Sequence, residues 1–92
     1  MSAVRIEVVR SGGFAGRTRR AAVETDGRPD APEWHALADR ALAAAPPPGS
    51  GGGVPDGFHY GISAGGRTAH WADPYLTEEQ AELVERVLAE GR

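Results

Sequence analysis

The sequence predicts an α+β fold with the element order ββαββα, in which two hairpins form a four-stranded antiparallel sheet and two helices pack on one face. Apolar and polar residues alternate in four short segments, which is the period of a half-buried strand. In two longer segments, apolar residues recur at helical spacing, and turns rich in glycine or proline separate the segments. With 92 residues, the chain is expected to form a single domain over residues 1–92.

The first hairpin is predicted from the amino-terminal quarter of the chain. Val4, Ile6 and Val8 alternate with charged residues and predict a strand. Residues 10–16 contain three glycines and predict a loop, after which the alternation resumes over residues 18–25. We therefore expect a hairpin whose tip is residues 11–16.

A turn at residues 26–29 and a helix are predicted next. Asp30 stands three residues before Glu33, with Pro32 near the first helical position, which is the pattern of a capping box. The residues that share one helical face are Trp34, Leu37, Ala38, Ala41, Leu42 and Ala45. Three prolines end the helix, and residues 46–54 are expected to form a flexible Pro/Gly-rich linker inside the domain.

The second hairpin is predicted with a defined register. Its apolar positions are Phe58, Tyr60, Ile62, Ala69 and Trp71. A two-residue turn at Gly65 and Gly66 would place Tyr60 opposite Trp71 and all apolar side chains on one face. These aromatic residues are therefore interpreted as core rather than as a ligand site.

The last helix is predicted after Pro74. Thr77 and Gln80 match a second capping box. Val84, Val87 and Leu88 form an apolar stripe with Leu83 on its flank, while most of the remaining side chains are charged.

Composition excludes several classes of function. The chain has no cysteine, and it shows no Ser-His-Asp signature or phosphate-binding loop, so we expect no enzyme and no cofactor. The net charge of −3 argues against a nucleic-acid partner, since such proteins need a basic excess. No stretch is long and apolar enough to span a membrane, and the start lacks the apolar segment of a signal peptide, so a monomeric cytoplasmic protein is expected.

Two groups of polar residues are interpreted as ordinary surface residues rather than as binding sites. His35, His59 and His70 do not have the spacing of a zinc site, and surface histidines on the open face of the sheet account better for them, so no metal is expected. The arginines at positions 17, 19 and 20 have no aromatic residues between them. They therefore predict a solvated strand edge rather than a nucleic-acid patch.

Two segments carry a resemblance to a known family. Arg-Ser-Gly-Gly-Phe-Ala-Gly at residues 10–16 follows the first strand directly, and Pro-Asp-Gly-Phe-His-Tyr at residues 55–60 opens the third. In these segments, in the order of elements and in the final helix, the chain resembles the emfourin family of small bacterial proteins. The resemblance implies a tight, slow-binding, competitive inhibitor of protealysin and related thermolysin-like zinc metallopeptidases. The run from residue 46 to 53 departs from the family pattern and lies away from both matching segments.

The resemblance implies that the first hairpin tip enters the protease cleft. The predicted protease-binding residues are Arg10, Ser11, Gly12, Gly13, Phe14, Ala15, Gly16 and Asp56. Phe14 is a large apolar side chain among small neighbours and would fill the hydrophobic pocket beside the zinc. Arg10, Arg17 and the turn at Asp26 are candidates for contacts at the rim.

Alternatives remain open at this stage. Phe14 would instead fold back onto Trp34 or Trp71 if the glycines only make a wide turn. Asp56 is interpreted as a turn residue that accepts backbone hydrogen bonds more readily than as a carboxylate facing the protease. The whole domain would be a non-inhibitory interaction module if the open sheet face or an edge strand recruited another protein. A small enzyme or ligand carrier is disfavoured because so thin a fold hardly encloses a pocket.

Overall fold

The computed structural model describes residues 4–12, 17–43, 57–73 and 75–92. The elements in chain order are β1 Arg5–Gly12, β2 Arg19–Glu24, α1 Ala31–Ala43, β3 Phe58–Ala64, β4 Arg67–Ala72 and α2 Glu78–Glu90. The predicted α+β class and the order ββαββα are therefore confirmed. The linker predicted at residues 46–54 and the helical position of Ala45 lie outside the described residues.

All four strands form one antiparallel sheet with the order β2-β1-β3-β4. The two hairpins are joined through β1 and β3, so β1 is hydrogen-bonded on both sides. Val8, for example, lies opposite Ala21 on one side and Ile62 on the other. As a central strand, β1 leaves neither of its edges unpaired along this stretch.

The register predicted for the second hairpin is confirmed. Tyr60 lies opposite Trp71 and Ile62 opposite Ala69. Gly65 and Gly66 have φ angles of 56° and 82°, the left-handed conformation that a two-residue turn of this kind requires. The local turn chemistry thus fixes which side chains reach the core.

The core lies between one face of the sheet and the two helices. The strand residues buried there are Ile6, Val8, Ala21, Val23, Tyr60, Ile62, Ala64 and Trp71, and Phe58 is partly buried beside them. Helix α1 contributes fully buried Trp34, and α2 contributes Leu83 and Val87. Leu83, which the sequence placed on the flank of the α2 stripe, is therefore a core residue.

The beginning of α1 differs from its prediction. The amide of Glu33 donates to the main-chain oxygen of Asp30 at 3.0 Å rather than to its carboxylate. That carboxylate instead accepts hydrogen bonds from the guanidinium of Arg28 at 2.9 Å and from Nε1 of Trp34 at 3.0 Å. The predicted capping box is wrong here, because a charged donor and a buried indole compete successfully for the same carboxylate.

Helix α2 begins as predicted and returns to the sheet at its far end. Thr77 and Gln80 form the capping box, and the side chain of buried Gln80 also donates to the main-chain oxygen of Ala41 at 3.1 Å. After the helix, the backbones of Arg92 and Ala22 exchange two hydrogen bonds of 3.0 Å. The outer edge of β2 is therefore paired at Ala22.

Candidate functional site

The two predicted contact segments meet at one end of the sheet. At this end, which we call the Gly12 end, β1 stops at Gly12, β2 starts at Arg19, β3 starts at Phe58 and β4 stops at Ala72. Gly12 lies opposite Phe58 across the β1–β3 ladder. The loop that follows Gly12 and the segment that precedes Phe58 therefore leave the sheet side by side.

The boundary of the first hairpin tip differs from its prediction. Ser11 and Gly12 were assigned to the tip, but they are the last residues of β1 and lie opposite His59 and Phe58. Pairing with β3, which is distant in sequence, extends the strand by these two residues. Of the other predicted contact residues, Gly13, Phe14, Ala15, Gly16 and Asp56 lie outside the described part of the chain.

Gly12 has a conformation and surroundings that only glycine suits. Its φ angle is +86°, in the left-handed region that side chains disfavour. A Cβ atom added at Gly12 would lie 3.1 Å from the main-chain oxygen of Gly57 and 3.5 Å from Cδ2 of His59. The backbones of Gly12 and Gly57 thus lie so close together that a side chain at Gly12 would crowd them.

Arg10 lies on the core face two residues before Gly12. Its guanidinium carbon is 4.3 Å from the centroid of the Phe58 ring, which is the geometry of a cation–π contact. Its Nε is buried and has no hydrogen-bond partner among the described residues. The predicted contact residue Arg10 is therefore packed against the start of β3, and its Nε–H group is a donor that no described residue accepts.

Asp73 ties the end of β4 to the start of β3, a role that the sequence analysis missed. Its carboxylate accepts a hydrogen bond from the amide of Phe58 at 3.1 Å and lies 3.4 Å from the hydroxyl of Tyr60. Its own amide donates to the main-chain oxygen of Phe58 at 3.0 Å. Burial, together with the negative charge of Asp73, raises the pKa of Tyr60 above its usual range. The Asp73-Pro74 pair was the available signal, but it also matches an ordinary strand end.

Besides Arg10, the two other proposed rim contacts lie at opposite ends of the sheet. Arg17 is exposed and lies two residues before the start of β2, at the Gly12 end. The turn at Asp26 follows Thr25, whose amide donates to the main-chain oxygen of Val4 before the start of β1. That turn is therefore at the opposite end of the sheet, and a contact there would not adjoin the hairpin loop.

The histidines divide into two kinds. His59 and His70 are exposed on the open face of the sheet, as predicted. His35 lies half-buried on α1 within the predicted helix, and its Nε2 is 2.9 Å from the Thr25 hydroxyl. Among the described residues, no three groups of metal-ligating type come together.

Neither α1 nor α2 has the length and apolar character needed to cross a membrane.

Comparison with known proteins identifies the family. Curated proteins and solved structures returned no match. A sequence model of the Emfourin family matches residues 8–88, which include β2, α1, β3 and β4, most of β1 and α2, and every predicted contact residue. The chain therefore belongs to the Emfourin family, an inhibitor family, and this membership suggests a metallopeptidase inhibitor with a protease as its partner.

Proposed function

We propose that the protein is a competitive inhibitor of thermolysin-like, protealysin-type zinc metallopeptidases, and that the loop of its first hairpin enters the active-site cleft. The observation that supports this most is the pairing of Gly12 with Phe58. It holds the bases of two segments, residues 13–16 and residues 55–57, next to each other at one end of the sheet. A protein that blocks a cleft must present a segment that fits into a concave site, and these two adjacent segments are the proposed candidates.

Rigidity at the base of the loop supports the same proposal. β1 is bonded to β2 and β3 as far as the Gly12 end, and Asp73 fixes the start of β3 through the Phe58 amide. A segment held in its bound conformation loses less conformational entropy on association, so more of the contact energy contributes to affinity. Holding the loop at its base also keeps its backbone from adapting to the geometry that cleavage requires.

Phe14 is the proposed anchor of the contact. Transfer of such a side chain from water contributes about 1.5–3 kcal/mol. A nanomolar inhibitor requires about 12 kcal/mol, so one aromatic anchor is not enough. The further contacts are expected from Arg10, Ser11 and the rest of the Gly12 end, because these residues surround the base of the loop.

Asp56 belongs to the same proposal with a lesser role. It precedes Gly57, whose main-chain oxygen faces Gly12. A carboxylate at this position either accepts backbone hydrogen bonds in the turn that leads into β3 or faces the peptidase. Replacing Asp56 with asparagine retains the turn and removes the charge, and so separates these two roles.

The proposal is tested by comparing two truncations at opposite ends of the sheet. Phe14→Ala removes the proposed anchor, and Val4→Ala removes apolar surface from the strand end that is remote from Gly12. We expect Phe14→Ala to weaken inhibition of thermolysin by about a hundredfold, or about 2.7 kcal/mol. Val4→Ala should leave the inhibition constant within about twofold of wild type while lowering stability modestly.

The outcome also decides between the proposal and its alternative. Inhibition that is unaffected by Phe14→Ala would keep the inhibitor and discard the loop as its anchor. If neither thermolysin nor a protealysin-type enzyme is inhibited, the protein is better described as an interaction module that uses the open sheet face or an edge strand.

A further inference from the structure

The charge of the protein is unevenly distributed between the first hairpin and the remainder. The whole chain has a net charge of −3. Residues 5–24, which form the first hairpin, contain five arginines and two glutamates, a formal charge of +3. The rest of the chain contains five arginines and eleven acidic residues, a formal charge of −6. The element that carries the proposed contact loop is thus positive on an acidic protein.

Three arginines of this hairpin, Arg10, Arg17 and Arg19, differ from the other two in their charged neighbours. The other two, Arg5 and Arg20, lie 3.5–4.0 Å from the carboxylates of Glu7 or Glu24. Among the described residues, no carboxylate forms an ion pair with the three. Arg19 donates to the main-chain oxygen of Leu88 at 2.6 Å, a neutral partner, and the Nε of Arg10 has no hydrogen-bond partner in the part of the chain that the structure describes.

These three arginines, which we call the arginine cluster, surround the base of the proposed contact loop. Arg10 lies two residues before Gly12, and Arg17 lies just beyond the loop on its other side. Arg19 is directly opposite Arg10 across the β1–β2 ladder. Like charges at opposed positions destabilise a sheet, and this repulsion opposes what the fold gains from the Arg10–Phe58 contact and from the Arg19 hydrogen bond.

We propose that the arginine cluster docks on an acidic rim beside the cleft of the target peptidase and accelerates its association with the inhibitor. This inference rests on the proposed function, and it specifies that the peptidase surface beside the cleft is negatively charged. Complementary charges around an interface act mainly on the rate of encounter and on the choice of partner.

The test compares two double variants that change the net charge equally. Arg17→Gln/Arg19→Gln removes two charges of the cluster. Arg40→Gln/Arg92→Gln is the matched control, because both residues are exposed and neither has an ion pair among the described residues. Association rate constants are measured from progress curves of thermolysin inhibition between about 0.05 M and 0.5 M salt, a range over which screening becomes strong.

The proposal predicts that wild-type association slows by about tenfold or more as the salt concentration rises. The cluster variant should associate about tenfold more slowly than wild type at low salt and about equally at high salt. Its dissociation rate should remain within about threefold of wild type, and the control variant should associate within about twofold of it. Melting curves of both variants would establish that they are folded.

Other results would overturn the proposal. Inhibition by wild type with an association rate that is independent of salt would refute the acidic rim and leave the proposed function intact. Equal slowing in both double variants would show an effect of net charge rather than of the cluster. An absence of inhibition by wild type would overturn the proposed function and this inference together.

Discussion

Replacing Gly12 with alanine perturbs the point where the two proposed contact segments meet. Gly12 has a φ of +86°, and a Cβ atom there would lie 3.1 Å from the main-chain oxygen of Gly57. That distance is tighter than ordinary van der Waals contact, and the neighbour is backbone, so the two strand ends must move apart. Gly27 is a matched control at the opposite end of the sheet, because its φ is +78° and nothing lies within 4 Å of an added Cβ.

The two variants separate backbone strain from steric displacement. Left-handed backbone costs an alanine about 1–2 kcal/mol relative to glycine, and this cost applies to both positions. Crowding against a packed neighbour typically adds about 1 kcal/mol or more, and this applies only to Gly12. We therefore expect Gly27→Ala to lower the free energy of unfolding by about 1–2 kcal/mol and Gly12→Ala by about 2–3 kcal/mol.

Denaturant unfolding followed by tryptophan fluorescence measures the two losses, and inhibition of thermolysin measures the functional consequence. Displacement of the loop base should weaken inhibition by Gly12→Ala at least about tenfold, or about 1.4 kcal/mol. Gly27→Ala should inhibit as wild type does, since its turn is remote from the Gly12 end. Equal losses of stability and equal inhibition in the two variants would refute the close approach of Gly12 and Gly57 as a functional feature.

Two further predictions concern stability. Burial and Asp73 raise the pKa of Tyr60 in the folded protein, so the unfolded state loses this proton first, near pH 10. The stability that the neutral hydroxyl contributes is therefore lost as the pH rises from there through the folded-state pKa. Unfolding free energies between about pH 8 and 11 should therefore decline less steeply in Tyr60→Phe than in wild type, and identical slopes would contradict the raised pKa. Alanine at Gly91 would bring its Cβ within 2.6 Å of the main-chain oxygen of Val87 and 2.8 Å of that of Ala22. Loss of the two backbone bonds between Ala22 and Arg92 should then cost about 1–3 kcal/mol, seen as a melting temperature lower by about 4 °C or more, and an unchanged melting temperature would disprove the close contact.

Local signals predicted most of the fold. The Gly65-Gly66 turn determines which residues face each other, so the pairing of Tyr60 with Trp71 followed from sequence. The Thr77 capping box likewise depends only on residues within one helical turn. Such features are predictable because their partners are a few residues apart.

Features that depend on distant partners were not predicted. Ser11 and Gly12 become strand residues through pairing with β3, more than forty residues later in the chain. The carboxylate of Asp30 is bound by Arg28 and by the indole of Trp34, and the position of that indole is set by the core rather than by the local pattern. Asp73 acquires its role only when β4 places it next to Phe58.

The contact site was predicted only in part. The sequence singled out residues 10–16 and Asp56, and the structure brings the described neighbours of both segments, Gly12 and Gly57, to the same end of the sheet. Contacts of Phe14 and Asp56 with a peptidase stay predictions. The sequence did not predict that Arg10 and Arg19 lie opposite each other without an ion-pair partner among the described residues, because this depends on which side chains the sheet brings together.

The central claim is competitive inhibition by insertion into the active-site cleft. It is tested most directly by titrating a thermolysin-like peptidase with the wild-type protein at several concentrations of a small peptide substrate. Competitive inhibition predicts that activity falls to zero at one inhibitor per enzyme when the enzyme concentration is well above the inhibition constant, and that the apparent inhibition constant rises linearly with the substrate concentration. An inhibition constant that does not depend on substrate, or full activity at a large excess of the protein, would contradict it.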